Sequence, residues 1–346
     1  MKKLTLVLII TIIALSTGFF LMKTDVGKNI ASKTLSTTIP TPTPFAFQEL
    51  TIPYLRTKTF DGKLTELNQI SQNGNYTSYL TSYSSDGLKV NGLLTIPNQV
   101  RPEGGWPAIV FIHGYIPPTQ YATTGEAYSA YVDYLARNGF VVFKIDLRGY
   151  GDSEGQSGGG YYGSDYVTDA LNAYNALQNF EFVNPNEIGM WGHSMAGNVL
   201  LRSAAVKKDI PALVIWAGAV YSYEDQRKYG IDDNSYRPPQ SAVQMQNRRR
   251  ELFEKNGSPS ADSPFWQKVA PTNFLSDIQG AIEIHHAQDD SVVNIGYSRD
   301  LIDLLDNTQV EHKLYEYPSG GHNLAGSSFT TAMQRTVEFF KSHLSK

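Results

Sequence analysis

The sequence predicts an α/β fold with a mostly parallel central sheet and helices on both of its faces. From residue 105 onward, short apolar runs alternate with segments in which apolar residues recur at helical spacing. Strands that are apolar on both sides must be covered on both sides, which is typical of parallel sheets in α/β proteins. The predicted strands are 108–112, 140–143, 188–191, 212–216, 281–284 and 313–317.

Two segments before this region predict an antiparallel hairpin. Residues 75–84 and 88–97 have strand character, and Ser85-Asp86-Gly87 between them has the composition of a hairpin turn. Helices are predicted where apolar residues recur at steps of three and four. These residues are Val167, Ala170, Tyr174 and Leu177, then Tyr297, Leu301 and Leu304, and finally Met333, Val337, Phe340 and Leu344.

The N-terminal segment 1–22 predicts a membrane anchor or a signal peptide. Lys2 and Lys3 precede an uncharged run from Leu4 to Met22, which as a helix would reach about 28 Å, close to the thickness of a hydrocarbon core. A cleavage site at Ala14-Leu15-Ser16 is the alternative, but the apolar run continues past it and favours an uncleaved anchor. Because the lysine pair stays cytoplasmic, either segment predicts an extracytoplasmic location, membrane-anchored or secreted.

Residues 23–48 predict an extended linker, because they are rich in Thr, Ser and Pro and bury little apolar surface. Residues 49–346 are then predicted to form one folded domain. Within it, the segment from about 218 to 279 exceeds an ordinary connection and contains its own helical stretch around 242–255. We expect this insertion to form a small lid over the site.

Composition excludes several classes of function. The chain has 346 residues, a formal net charge of -4 at pH 7 and no cysteine. The charge argues against a nucleic-acid partner, and the lack of cysteine excludes thiol catalysis, disulfides and thiolate metal sites. His285, His286, Asp289 and Asp290 adjoin, but neighbouring side chains on a strand point to opposite faces and converge poorly on a metal. The sequence predicts neither a metal nor a cofactor.

Residues able to do chemistry directly follow three of the predicted strands. Ser194 lies among small residues in Gly192-His193-Ser194-Met195-Ala196-Gly197, at a strand-to-helix junction that would hold its hydroxyl on a tight turn. An acidic loop at 285–293 follows the strand at 281–284, and Gly321-His322 follows the last strand. The carboxyl ends of parallel strands meet at one edge of the sheet, where ligands bind. A serine, an acid and a histidine therefore occur in the order that nucleophilic hydrolases of this architecture use.

These motifs resemble those of the α/β-hydrolase superfamily, most closely the catalytic domain of prolyl oligopeptidase-type serine peptidases. The resemblance spans roughly residues 76–344. Ala196 departs from it, since the family has a glycine there, and the segment before the first central strand is too short for the β-propeller found in many members. The motifs that carry it are His113-Gly114, the Asp-x-Arg-Gly-x-Gly-x-Ser-x-Gly run from Asp146, the Ser194 turn, the acidic loop and Gly321-His322.

The resemblance implies the roles of the three residues. Ser194 is the nucleophile, His322 is its general base, and an aspartate orients the imidazole. In the family this aspartate stands four residues after a histidine and is followed by x-x-Val, a spacing that fits His286, Asp290 and Val293. Asp290 is therefore assigned as the acid, and Asp289 as a solvated neighbour or a brace of the loop.

Further residues complete the predicted site. The backbone N–H groups of Tyr115 and Met195 would form the oxyanion hole, and Tyr221, just after a strand, is expected to line the pocket. Arg248-Arg249-Arg250 in the lid is most simply a solvated helix face, and a second hypothesis is that it attracts a substrate carboxylate.

The sequence thus predicts an extracytoplasmic serine hydrolase that cleaves peptide bonds of short peptides through an acyl-enzyme. A carboxylesterase with the same triad is the alternative. A catalytically silent hydrolase fold used for binding is an alternative of another class.

Overall fold

The computed structural model describes residues 45–233 and 242–344. The predicted anchor at 1–22 and most of the predicted linker at 23–48 lie outside the described residues. Within the described ranges, no helix is both long and apolar enough to span a bilayer. The folded unit begins at Phe45, a few residues before the predicted boundary at residue 49.

The described residues form one nine-stranded sheet. The strands are β1 (Asn68–Gln72), β2 (Tyr76–Ser85), β3 (Leu88–Pro97), β4 (Trp106–Ile112), β5 (Val141–Ile145), β6 (Val183–His193), β7 (Ala212–Trp216), β8 (Ala281–Ala287) and β9 (His312–Tyr317). Their order across the sheet is β1-β2-β3-β5-β4-β6-β7-β8-β9. Strands β4 to β9 pair in parallel, and β1, β2 and β3 form an antiparallel extension beside β5. The predicted mostly parallel sheet is confirmed.

Helices cover both faces of this sheet. They are α1 (Ile52–Leu55), α2 (Ser129–Arg137), α3 (Asp165–Gln178), α4 (Ala196–Val206), α5 (Tyr223–Tyr229), α6 (Ala242–Asn256), α7 (Pro264–Val269), α8 (Gly296–Leu305) and α9 (Ser327–Leu344). Alternate residues of β4 point to opposite faces. Val110 belongs to the core cluster that includes residues of α3, α4 and α8, and Phe111 belongs to the cluster that includes residues of α2 and α9. The two faces explain why the central strands are apolar without interruption.

The predicted hairpin closes through two left-handed residues. Ser85 pairs with Leu88, and Asp86 and Gly87 between them have φ of 51° and 79°, as a two-residue turn that follows the twist of its strands requires. Strand β1 on the outer side of the hairpin was not predicted. All five of its residues are exposed, so backbone pairing with β2 forms it and no apolar pattern marks it.

The first described residues fasten to the domain through two buried or half-buried arginines. Arg202 in α4 donates to the carbonyl oxygen of Leu50 at 2.7 Å. Arg56 donates to the carbonyl oxygen of Ala205 and to Asp277, both at 2.6 Å. Residues 45–56 are therefore an integral part of the domain.

The predicted lid corresponds to α5, α6, α7 and a 3₁₀ helix at Pro271–Asp277. Helix α6 is mostly exposed, but Leu252 is buried and Phe253 packs against Trp266 of α7 at a ring-centroid distance of 5.9 Å. Arg248 of α6 forms an ion pair of 3.0 Å with Glu49. The insertion thus rests on the first residues of the domain as well as on its own helices.

Candidate active site

Ser194 occupies a strained turn between β6 and α4. Its φ is 57°, a left-handed conformation that costs a non-glycine residue about 1–2 kcal/mol. The backbone around it is tied down: its N–H donates to Trp216 at 2.9 Å, and its carbonyl oxygen accepts from Gly197 at 2.9 Å and Ala219 at 3.1 Å. These bonds hold the strained conformation and place the serine beyond the carboxyl end of β6.

Close packing of α4 against β6 and β7 explains the small residues around the serine. A Cβ atom on Gly192 would lie 2.8 Å from the Cβ of Ala196, and one on Gly197 would lie 2.7 Å from the Cα of Gly218. Both glycines are therefore required by close contact. Position 196 accepts alanine because Gly192 opposite it has no side chain, which explains the departure from the glycine expected there.

The structure brings the predicted histidine and acid together. The Nδ1 atom of His322 lies 2.8 Å from Oδ2 of Asp290, and Oδ1 of Asp290 accepts hydrogen bonds from the backbone of Val292 at 2.8 Å and Val293 at 2.9 Å. The Asp290 side chain is fully buried. Burial alone would raise its pKa, but hydrogen bonds from His286 and His322 hold the pKa of Asp290 well below its usual range. Asp290 therefore stays ionised beside the histidine.

Asp289 has a different role. Its Oδ1 accepts a hydrogen bond from the N–H of Gly321 at 2.8 Å, and its Oδ2 accepts one from Gly320 at 3.3 Å. The two adjacent carboxylates therefore have different contacts. Asp290 contacts the ring of His322, and Asp289 contacts the backbone of the loop that carries His322.

His286 contacts the loop that carries Asp290. Its Nδ1 lies 2.8 Å from Oγ of Ser298, and its Nε2 lies 2.9 Å from the carbonyl oxygen of Val293 and 3.2 Å from Oδ2 of Asp290. In residues 45–233 and 242–344, no group of three or more His, Asp or Glu side chains is arranged to hold a metal ion.

A buried chain of hydrogen bonds joins the loop after β4 to the loop after β9. The N–H of Gly114 donates to the Tyr128 hydroxyl at 2.9 Å, and this hydroxyl lies 2.7 Å from Nδ1 of His193. The Nε2 atom of His193 lies 2.8 Å from the carbonyl oxygen of His322. A carbonyl only accepts, so Nε2 carries the proton and Nδ1 accepts from Tyr128. Tyr128 was not identified from the sequence, which carries no motif at that position.

The loop after β4 is anchored by His113 and Asp146. The His113 ring packs against Tyr121 and Tyr150, and its Nε2 lies 2.8 Å from the carbonyl oxygen of Asp146. The Asp146 side chain accepts from the hydroxyl of Tyr121 at 2.7 Å. Burial lowers the pKa of His113 to about 4 and, together with the nearby His322, the pKa of His193 to about 3.

These two histidines predict a loss of stability in mild acid. Each is neutral in the folded protein but binds a proton in the unfolded chain below its ordinary pKa of about 6.5. The unfolded state therefore binds more protons as the pH falls, and each histidine should lower the free energy of unfolding by about 1.5 kcal/mol between pH 6.5 and 5. His193→Gln removes one titration, so the free energy of unfolding of this variant should fall by about 1.5 kcal/mol less than that of the wild type over that range. Urea unfolding at both pH values measures the difference, and an equal loss in the two proteins would contradict it.

A cavity of about 680 Å³ opens beside Ser194. Tyr115 and Met195, the two residues predicted to supply the oxyanion hole, border it together with the serine. Met195 immediately precedes α4, and the first N–H groups of a helix have no intrahelical acceptor. Rings of several tyrosines form much of the wall, namely Tyr115, Tyr150, Tyr161, Tyr162 and Tyr166.

The glycine-rich segment 156–163 and the lid helix α6 both line the cavity and contact each other. A Cβ atom on Gly158 would lie 2.2 Å from the Cε of Met245 in α6. This glycine therefore gives the lid helix room to pack against the loop. Arg248 and Arg249 of α6 also line the cavity.

The expectation that Tyr221 lines the pocket is wrong. Its side chain is 1% exposed and packs beneath the site, where its ring carbon Cε1 lies 3.2 Å from the position of a Cβ on Gly197. Ala217 and Val220 have positive φ values of 46° and 56°. The chain therefore turns sharply after β7 and packs the Tyr221 ring under α4, away from the cavity.

Comparison with known proteins agrees with this geometry. The serine aminopeptidase (S33) family of hydrolases matches residues 107–251, a range that contains Ser194 and ends before Asp290 and His322. An uncharacterized peptidase of Bacillus subtilis (strain 168), YuxL, is 24% identical over 255 residues, which are 70% of this chain and 35% of that protein. The chain has the α/β-hydrolase fold. The predicted resemblance to α/β-hydrolases with peptidase-type relatives is confirmed.

Solved structures similar to this chain include both esterases and peptidases. An acetyl xylan esterase from Paenibacillus sp. R4 matches with a TM-score of 0.60 and 17% identity, covering 83% of this chain and 91% of that one. An acylaminoacyl peptidase from Pyrococcus horikoshii matches with a TM-score of 0.59 and 18% identity, covering 80% of this chain and 43% of that one. At such identities the likeness shows the fold. The chain spans about a third of the length of the first curated relatives it matches.

Proposed function

We propose that this protein is a serine hydrolase that cleaves peptide bonds in short peptides through an acyl-enzyme. Ser194 attacks the carbonyl carbon while His322 takes its proton, and His322 then protonates the leaving amine. Asp290 holds the Nδ1 side of the imidazole, so Nε2 is the nitrogen left to act as the base. The N–H groups of Tyr115 and Met195 stabilise the oxyanion, and water releases the acyl product.

The lining of the cavity is the observation that favours a peptide. Its volume of about 680 Å³ is in the range of small-ligand sites, and α6 closes one side, which suits a few residues of extended peptide and excludes a folded protein. Side-chain amides stand among the tyrosine rings and can pair with the N–H and C=O groups of a peptide backbone. The amides belong to Gln156, Gln226, Gln244 and Gln246. The family match to serine aminopeptidases supports the same substrate class.

A carboxylic ester is the second candidate, because the same attack cleaves esters. The structural match covers 91% of the acetyl xylan esterase chain and 43% of the acylaminoacyl peptidase chain. In extent, the described domain therefore corresponds more closely to the esterase.

Paired substrates with one acyl group separate the candidates. We expect the full-length protein to release p-nitroaniline from short peptide anilides and to cleave unmodified peptides of a few residues, as followed by mass spectrometry, while Ser194→Ala does neither. Hydrolysis of the matching p-nitrophenyl esters without cleavage of any peptide would assign the protein as an esterase instead.

We also propose that the hydrolase acts outside the cytoplasmic membrane. The support is the sequence of residues 1–22, with its lysine pair and uncharged apolar run, and the Thr/Ser/Pro-rich segment that follows. Expressed in a bacterial host, the full chain should sediment with membranes and be degraded by protease added to spheroplasts, whereas a chain lacking residues 2–22 should stay in the cytosol. Protection of the full chain from protease would contradict this location.

A further inference from the structure

Three consecutive arginines in the lid helix have different partners. Arg248 pairs with Glu49 at 3.0 Å, and Arg250 lies 4.0 Å from Glu254. Arg249 has no carboxylate within ion-pair distance in the described part of the chain. Its guanidinium instead lies over the ring of Tyr162, 4.2 Å from the centroid, and 5.2 Å from that of Phe253. Among the described residues, Arg249 is thus the one arginine of the three without an acidic partner.

Arg249 borders the cavity that contains Ser194, whereas Arg250 does not. Successive residues of an α-helix are separated by about 100° around its axis, so the two adjacent arginines face different surroundings. Substitution of Arg249 and of Arg250 removes the same charge from two positions, so comparing the two variants shows whether the position beside the cavity matters.

Aromatic packing holds the Arg249 guanidinium in place. The Tyr162 hydroxyl lies 3.3 Å from Nη2 of Arg249 and donates to Gln226 at 2.9 Å. The Tyr162 ring stacks on Tyr223 at a centroid distance of 5.4 Å. One N–H of Nη2 is directed to the Tyr162 hydroxyl. A stacked guanidinium can still donate its other N–H groups, whose planar arrangement matches the two oxygens of a carboxylate.

We propose that Arg249 binds a carboxylate of the substrate, so that the preferred substrates are short acidic peptides or acyl compounds. This inference rests on the proposed use of the cavity as the substrate site. The carboxylate can belong to an acidic side chain or to a free C-terminus, since the guanidinium recognises the same group in both. Two carboxylates, Asp165 and Asp233, also line the cavity. Asp165 lies 3.4 Å from Arg148, which pairs more closely with Asp169 at 2.7 Å.

The test compares Arg249→Gln with Arg250→Gln on substrates that differ only in charge. For peptides containing Glu or Gln at one position, and for peptides with a free or amidated C-terminus, R249Q should lower kcat/KM for the charged member by about 10- to 100-fold. It should change kcat/KM for the neutral member by less than about twofold, because no charged hydrogen bond is lost. R250Q should leave both members unchanged. The Glu pair and the C-terminal pair tell which carboxylate is bound.

A second variant and a second pair of substrates serve as controls. R249K retains the charge without the planar fork, so its kcat/KM for the charged substrate should lie between those of the wild type and R249Q. Thermal unfolding of R249K reports any damage to α6. If no peptide is cleaved, the α-p-nitrophenyl esters of N-acetyl-glutamate and N-acetyl-glutamine test the same preference. A failure of the peptidase proposal can thus be distinguished from a failure of the carboxylate proposal. Equal losses for charged and neutral substrates in R249Q, equal losses in R250Q and R249Q, or no loss in either would overturn the inference.

Discussion

Replacing Ser194 with alanine is expected to lower kcat by a factor on the order of 10⁶, because no other group can form the acyl-enzyme at that position. The change removes one oxygen atom and leaves the turn, the packing of α4 and the His322–Asp290 contact as they are. Binding of substrate should therefore persist, with KM within a few-fold of the wild-type value. Steady-state kinetics measures kcat and KM, and labelling by a fluorophosphonate reports whether a reactive serine remains.

A second variant at this position tests the strain of the turn. With φ at 57°, Ser194→Ala keeps a Cβ in a left-handed conformation, whereas Ser194→Gly removes it. The glycine variant should be more stable than the alanine variant by about 1 kcal/mol, less what glycine adds to the entropy of the unfolded chain. Both should be inactive. Fluorophosphonate labelling of folded S194A would show that the nucleophile lies elsewhere.

Asp290→Asn is expected to lower kcat by about 10⁴. An asparagine at this position offers an N–H where the histidine has its own, so the imidazole must turn or adopt the tautomer that places a proton on Nε2. The base then carries a proton at the atom that should accept one. The backbone bonds from Val292 and Val293 can still be accepted by the amide oxygen, so we expect the variant to fold.

Asp289→Asn is the matched control one residue away. Its amide oxygen can still accept from Gly321 at the position where Oδ1 now accepts at 2.8 Å, so kcat should fall by less than about tenfold, the loss of a single loop contact. Measurement of kcat for both variants on one substrate decides the assignment. A larger loss for Asp289→Asn than for Asp290→Asn would reverse the two roles.

The elements that the sequence predicted are those in which the local pattern and the packing agree. The central strands are apolar on both sides because α2 and α9 cover one face and α3, α4 and α8 the other. The exposed strand β1 carries no such pattern. Its pairing depends on a neighbour that the residues themselves do not reveal.

The site was predictable where residues directly follow strands, and less so where the chain turns. His322 and Asp290 follow β9 and β8, and they meet at 2.8 Å. Tyr221 follows β7 in the same way, but the left-handed residues Ala217 and Val220 redirect it, and neither is a glycine that would mark such a turn. Tyr128 reaches its partners only through the folding of the loop after β4.

Which of the three lid arginines border the cavity likewise depends on tertiary contacts. A run of three charges on a helix is usually a solvated face. The packing of Met245 against Gly158 places α6 so that two of the three border the cavity and one does not. Helical periodicity gives their relative directions but not which direction faces the serine.

The attachment of residues 45–56 bears on how the protein should be prepared for study. A shortened version beginning near residue 60 would contain every residue of the proposed reaction, yet it would lack Glu49, the ion-pair partner of Arg248, and Leu50, the acceptor for Arg202. Such a protein would have a loosened cavity wall, and the buried guanidinium of Arg202 would keep only the carbonyl oxygen of Gly163 as an acceptor. Altered selectivity in it would reflect this damage to the domain and not the loss of the N-terminal segment.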